Sequence, residues 1–253
     1  MKTRLFTTLI STLALTGIYA TSAQAFTFKT NFSESVTNAS KKDIFLNSVE
    51  INGKTYNDFS LVKNVNINQN DLWKDGNTGA ASSDRGDKAS GIAVEAATGS
   101  DLAASLGNLN LNNIVDTEDR GNFILDLFFD KFADKFLFFE RGMNSKLEVQ
   151  ALLGDGSTGK SVLLDSRKWE EAGYSIDTTE IGGAQTVGSF GVSLLDLGVT
   201  DAQSFSGLRL ISKSNYVGPD FKVVGVSVPE PTTVLGLGLV GAALAMSRRK
   251  KAQ

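Results

Sequence analysis

Several stretches of this chain carry side chains able to do chemistry. Gly154-Asp155-Gly156-Ser157-Thr158-Gly159-Lys160-Ser161 follows the phosphate-loop pattern letter for letter. In such a loop backbone amides cradle phosphates, the lysine reaches the β- and γ-phosphates, and the hydroxyl holds magnesium. That chemistry needs a helix opening at the loop. Ser161-Val162-Leu163-Leu164-Asp165 reads instead as a strand, so the expectation is a hairpin loop built from turn residues. Asp116-Thr117-Glu118-Asp119 groups three carboxylates, the hard oxygen donors that calcium takes. The order of an EF-hand loop is missing, and a solvated acidic loop is expected. Trp169 and Tyr174 have faces on which a sugar ring stacks, although a place in the core or at its rim suits them better. Glu140, Glu170 and Glu171 are the acids from which a carboxylate-based glycosidase would draw its pair, held about 5–9.5 Å apart in a cleft. Arg85-Gly86-Asp87 spells a cell-adhesion tripeptide inside a stretch whose ordinary turn composition accounts for it.

What is absent narrows the chemistry further. The 253 residues contain no histidine and no cysteine. Ser-His-Asp triads, Cys-His pairs and thiolate zinc sites are therefore excluded. Disulfides are excluded too, so stability rests on the core. General acid–base work would fall to carboxylates, Lys or Tyr. No catalytic residue, cofactor or metal site is expected. The chain carries a formal charge of −3, and its two end segments hold Lys2, Arg4, Arg248, Arg249, Lys250 and Lys251 against the single acid Glu230, which leaves the middle more acidic than the whole. An acidic body repels phosphate backbones, so nucleic acid is not an expected partner.

The elements that would position these groups are strands. Phe26–Phe32 alternates, and Ile44–Ile51 runs into Asn52-Gly53, a hairpin signal, before Lys54-Thr55-Tyr56. Phe59–Ile67 is a further strand. Asp71–Ser90 reads as loop and Gly91–Ala96 as a short strand. Asp101–Leu106 is the one helix, capped by Ser100 and ended by Gly107. Leu109, Leu111 and Ile114 read as chain packed over an edge. Asn122–Glu140, crowded with phenylalanine, reads as strands Phe123–Phe129 and Lys135–Glu140 turned around Asp130–Asp134, with one amphipathic helix as the rival. Lys146–Leu153, Ser161–Asp165, Thr186–Ser193, Gly207–Ser212 and Phe221–Val228 complete the set, and Trp169, Tyr174 and Ile176 lie in a less regular stretch. The expected fold is mostly β: an antiparallel β-sandwich, jelly-roll-like, with one short helix, over residues 26–228 as a single domain.

Both ends read as processing signals. Lys2 and Arg4 precede the apolar stretch Leu5–Ala20, and Ala23-Gln24-Ala25 supplies the small-x-small pattern of a signal peptide spanning 1–25, cut after Ala25. At the other end, residues 229–253 hold Pro229-Glu230-Pro231, an uncharged run from Thr232 to Met246, and then Arg248, Arg249, Lys250 and Lys251. The run is short beside the ~20 apolar residues of an ordinary transmembrane helix, and the basic knot behind it should remain cytoplasmic. The two prolines make a stiff, extended handle just outside the membrane.

Those three parts in that order resemble the PEP-CTERM sorting signal, on which exosortases, membrane transpeptidase-like enzymes of Gram-negative bacteria, act. Within the body, Asn77–Asp87, Leu125–Asp130, Phe139–Ser145, Ala172–Ile181 and Gly218–Gly225 resemble a cyanobacterial-type family of exosortase-dependent surface proteins. The resemblance implies an exported surface or extracellular-matrix protein with Pro229, Glu230 and Pro231 as the recognition handle, and it transfers no catalytic residue. The implied partners are the Sec translocon, the exosortase and, before processing, the membrane. A lectin-like module binding exopolysaccharide is the alternative.

Overall fold

Sequence alternation builds three stacked antiparallel sheets. The computed structural model describes residues 25–34, 39–72, 81–180, 182–200 and 202–227; the expected signal peptide and C-terminal helix lie outside them. The first sheet holds β1 (Lys29–Glu34), β2 (Ile44–Ile51) and β3 (Lys54–Tyr56). Asn52 and Gly53 join the last two with φ of 52° and 74°, the paired positive values of a tight hairpin turn. β4 (Phe59–Ser60) and β5 (Val62–Asn70) follow, then β6 (Ala81–Arg85), helix α1 (Gly99–Leu106) and β7 (Asn113–Thr117). The remaining strands are β8 (Phe123–Phe129), β9 (Lys135–Arg141), β10 (Leu147–Leu153), β11 (Val162–Leu164), β12 (Glu170–Ile176), β13 (Gln185–Ser193), β14 (Phe205–Ser212) and β15 (Phe221–Val226). A five-stranded sheet has the order β11-β10-β14-β8-β5. A seven-stranded sheet runs β12-β13-β9-β15-β7-β6, with β4 added on β15.

The seven-stranded sheet is the middle layer. On β9, Phe136 and Phe138 point into one apolar cluster shared with β8, β10 and β14 of the five-stranded sheet. Leu137 and Phe139 point into a second cluster, shared with Ile44, Leu46 and Val49 of the small sheet. A strand buried on both faces reads as a continuous apolar run, which is why Phe-Leu-Phe-Phe shows no alternation. The expected mostly antiparallel β fold with one short α-helix is present, and its strands are divided among three sheets. β8 and β9 are consecutive but belong to different sheets, so the turn at Asp130–Asp134 is a crossing between layers rather than a hairpin.

Three local expectations are corrected. Within the stretch read as loop, Ala81–Arg85 is strand β6, its first four residues buried. Gly91–Ala96 holds only an isolated bridge from Val94 to Ser83. The helix is capped by Thr98, not Ser100: the Thr98 hydroxyl accepts from the Asp101 amide, and the Asp101 carboxylate accepts from the Thr98 amide in return.

At the other end of α1 sits a buried lysine. Lys222 is fully enclosed, and its Nζ donates to Ser105 O at 2.7 Å and to Asn108 Oδ1 at 3.1 Å. Burial pushes its pKa well below the ordinary value. The unfolded chain binds a proton there up to its ordinary pKa, so this residue disfavours folding more at low pH. Lys222→Met is accordingly expected to raise stability more at pH 5 than at pH 8. Denaturant midpoints at the two pH values check this.

Candidate functional site

The middle sheet's second face is apolar along most of its length and turns polar at one end. On β7, Ile114 joins the apolar cluster and Asp116 lies on the same face two residues on. β6 pairs with β7 so that Ser82 stands opposite Asp116, which places Asp84 diagonally beside it. Phe221 of β15 pairs with Val115, so Asp220 adjoins Asp116 from the other side. Arg141 ends β9 on this face, and Glu180 follows β12. Oxygens of Asp84, Asp116 and Glu180 lie within 4.8 Å of one another. Asp84 and Asp116 are buried and Glu180 is exposed. A recess of ≈ 120 Å³ opens beside them, lined by Asp116, Glu118, Arg141, Glu180 and Asp220 among others. At its edge Val217 and Gly218 take φ of 60° and 41°. A Cβ on Gly218 would stand 2.0 Å from Thr117 O, so only glycine lets this loop close over β7.

The electrostatics follow from crowding. Burial, then the neighbouring Asp220, pushes Asp116 well above the usual carboxylate range. Glu180 is pushed up to about 8, first by its hydrogen bond with Asp116 and then by partial loss of solvent around its carboxylate. Burial and the Glu140 charge raise Asp220 to about 7, against the opposing pull of Arg141. Burial raises Glu140 to about 8, although Ser145 Oγ donates to its Oε1 at 2.6 Å. Arg141 is the counter-charge: it lies 3.4 Å from Asp220 Oδ2 and donates to the carbonyls of Ile176 and Gly183.

A pH dependence follows. A carboxyl whose pKa is raised by folding binds its proton more tightly folded than unfolded, so its contribution is present at low pH and fades as pH climbs towards the folded pKa. Asp116, Glu140, Glu180 and Asp220 all act in this sense, and the buried Lys222 acts against them. Asp165, held at about 2 by Arg167, acts only at much lower pH. In EDTA the melting temperature is expected to fall by several degrees from pH 5 to pH 8, as scanning calorimetry would record.

The other sequence-predicted residues are dispersed, and most are already engaged. The expected solvated loop at Asp116-Thr117-Glu118-Asp119 is half strand: Asp116 and Thr117 are buried on β7, Glu118 is half-buried and Asp119 is exposed. The phosphate-loop look-alike is the β10–β11 hairpin. Its amides are taken: Gly154 N–H by Ser204 O, Gly156 N–H by Leu153 O, Gly159 N–H by Ala151 O and Lys160 N–H by Leu197 O. No helix follows it. Arg85 Nη1 donates to the carbonyl of Ala89, and Asp87 pairs with Lys41 at 2.9 Å, so both charged groups of the adhesion-like tripeptide are engaged within the fold. Trp169 and Tyr174 are core residues; Trp169 Nε1 donates to Ser145 O at 3.3 Å. They leave no aromatic face for a sugar. Glu140 is sealed while Glu170 and Glu171 stand exposed on β12, so these three do not line one open cleft. Pro229, Glu230, Pro231, Arg248, Arg249, Lys250, Lys251, Ala23 and Ala25 lie outside the described residues. Among the described residues no helix is long and apolar enough to cross a membrane.

Comparison with known families gives one result: the family model of the PEP-CTERM protein-sorting motif matches residues 227–250. No curated protein and no solved structure matches the chain.

Proposed function

We propose that this is a non-catalytic, exported surface or matrix protein, delivered by a signal peptide cut after Ala25 and processed by an exosortase acting at Pro229-Glu230-Pro231. The chain carries the PEP-CTERM protein-sorting motif at residues 227–250, and that match is the observation on which the reading rests. Arg248, Arg249, Lys250 and Lys251 then hold the tail on the cytoplasmic side while the Thr232–Met246 run sits in the bilayer. Two features support the reading. The β domain ends at Val226, so little chain separates a folded body from the prolines and the handle stands close to the membrane. A chain without cysteine passes through an oxidising compartment with no risk of misplaced disulfides. The body acts as cargo or building material.

Intact mass of the protein, from cells with and without the exosortase, tests the reading. The expected wild-type mass lacks residues 1–25 and the basic tail, and the exosortase-negative strain retains Gln253. Equal masses in the two strains, with Gln253 present in both, would falsify it.

A further inference from the structure

The acidic end of the middle sheet has the composition of a cation site. Asp84, Asp116 and Glu180 come from β6, β7 and the segment after β12, far apart in sequence; the β6–β7 pairing fixes the first two, and a bridge from Gly86 to Thr178 with the Thr179 amide on Arg85 O brings the third segment alongside. Their oxygens lie within 4.8 Å of one another. Two oxygens on one calcium ion at 2.3–2.6 Å are never more than about 5 Å apart, so this spacing is what one ion requires. A second observation points to a missing ligand. Asp84 is 2% exposed; its Oδ1 accepts from the Arg85 amide at 2.7 Å and from the Thr179 hydroxyl. Its Oδ2 is buried with no hydrogen-bond partner. A buried carboxylate oxygen without a partner, on a side chain whose carboxylate lies within 4.8 Å of two more, is costly unless a cation meets it. The nearby Arg141 is engaged with Asp220 and with the carbonyls of Ile176 and Gly183. Asp220 accepts from the Thr117 amide at 3.1 Å and so steadies the end of β7.

We propose that Asp84, Asp116 and Glu180 bind one calcium ion, with water completing its shell from the recess on the Glu180 side. Calcium accepts six to eight oxygens in flexible geometry. Magnesium needs a near-octahedral set and dehydrates reluctantly, which a site with two of its donors pinned by the β6–β7 ladder does not favour. With three carboxylates and no dedicated loop, the site belongs with the weak extracellular class, whose dissociation constants are about 10⁻⁴–10⁻³ M. Its occupancy outside the cell rests on the export reading; the binding itself does not.

The test uses the full-length chain in detergent, stripped with EDTA and dialysed into calcium. One bound calcium per chain is expected, with a melting temperature about 5–10 °C higher at saturating calcium than in EDTA. Glu180→Gln, at an exposed position, should fold as the parent does, melt no lower in EDTA and bind calcium about tenfold or more weakly. Asp116→Asn removes one of the crowded carboxylates, so it should abolish the calcium response without lowering the melting temperature in EDTA, which a merely structural aspartate would not do. If Asp116→Asn does not fold, Glu180→Gln decides the matter. No bound calcium, an unchanged calcium response in the variants, or an equal shift with magnesium at the same concentration overturns the assignment. Intact-mass processing is unaffected by these results, so the two readings fail separately.

Discussion

Phe136→Ala is expected to cost about 3–5 kcal/mol of stability, which lowers the melting temperature by about 10 °C or more. Phe136 is completely buried on β9, and its ring lies 5.1 Å from that of Phe129 and 5.4 Å from that of Phe205, both on the five-stranded sheet. It bridges the two larger layers where the chain crosses from β8 to β9. The cavity would open among strands held by their ladders on either side, so collapse around it is limited. Phe139→Ala should cost a similar amount through the opposite face, where its ring meets Phe28 edge-on at 5.5 Å. Because the sheet separates the two cavities, the losses should add to within about 0.5 kcal/mol. Denaturant unfolding of both single variants and the double variant measures this. Marked non-additivity would mean that the two cores are one.

Arg141→Ala should be comparably severe, at about 3–5 kcal/mol. The side chain is among the most deeply buried in the protein and ties three segments: the carbonyl of Ile176 at the end of β12, the carbonyl of Gly183, and Asp220 ahead of β15. Its removal leaves Asp220 beside Asp116 and Glu140 with that counter-charge gone. The sign of the pH effect then tells charge from packing. Lost charge compensation makes Arg141→Ala lose more stability at pH 8 than at pH 5, since protonated neighbours need no arginine. A loss independent of pH would assign the residue to packing alone. Arg141→Lys should recover only part of the stability, because an ammonium does not reproduce the guanidinium's fork of donors.

Much of this architecture was legible, for identifiable reasons. Asn52-Gly53 announces its turn because few residue pairs accept two successive positive φ values, and the structure has that turn. Short apolar runs between Gly, Asn and Asp mark most strands. β6 escaped because Ala-Ser-Ser-Asp-Arg has loop composition; its residues are buried by pairing with β7 and not by being apolar. That omission hid the acidic site. Asp116 was visible as part of a cluster, but its true neighbours are Asp84, Glu180 and Asp220, which only tertiary pairing brings together. The phosphate-loop look-alike shows the converse. A pattern of residue types says nothing of where their amides point, and here they point at carbonyls. The third sheet was missed since double burial of a strand leaves no period to read, only length.

The last strand of the body is not at an edge. β15 is flanked by β9 on one side and by β7 and β4 on the other, and it ends at Val226, just short of the prolines. Antiparallel hydrogen bonds run perpendicular to the strands. A pull on the tail therefore loads β15 in shear, straining many bonds at once instead of peeling them singly. Whatever grips the carboxyl end holds the molecule by its strongest mechanical axis. The same placement means the middle sheet stays split until the final stretch of chain has been made and delivered.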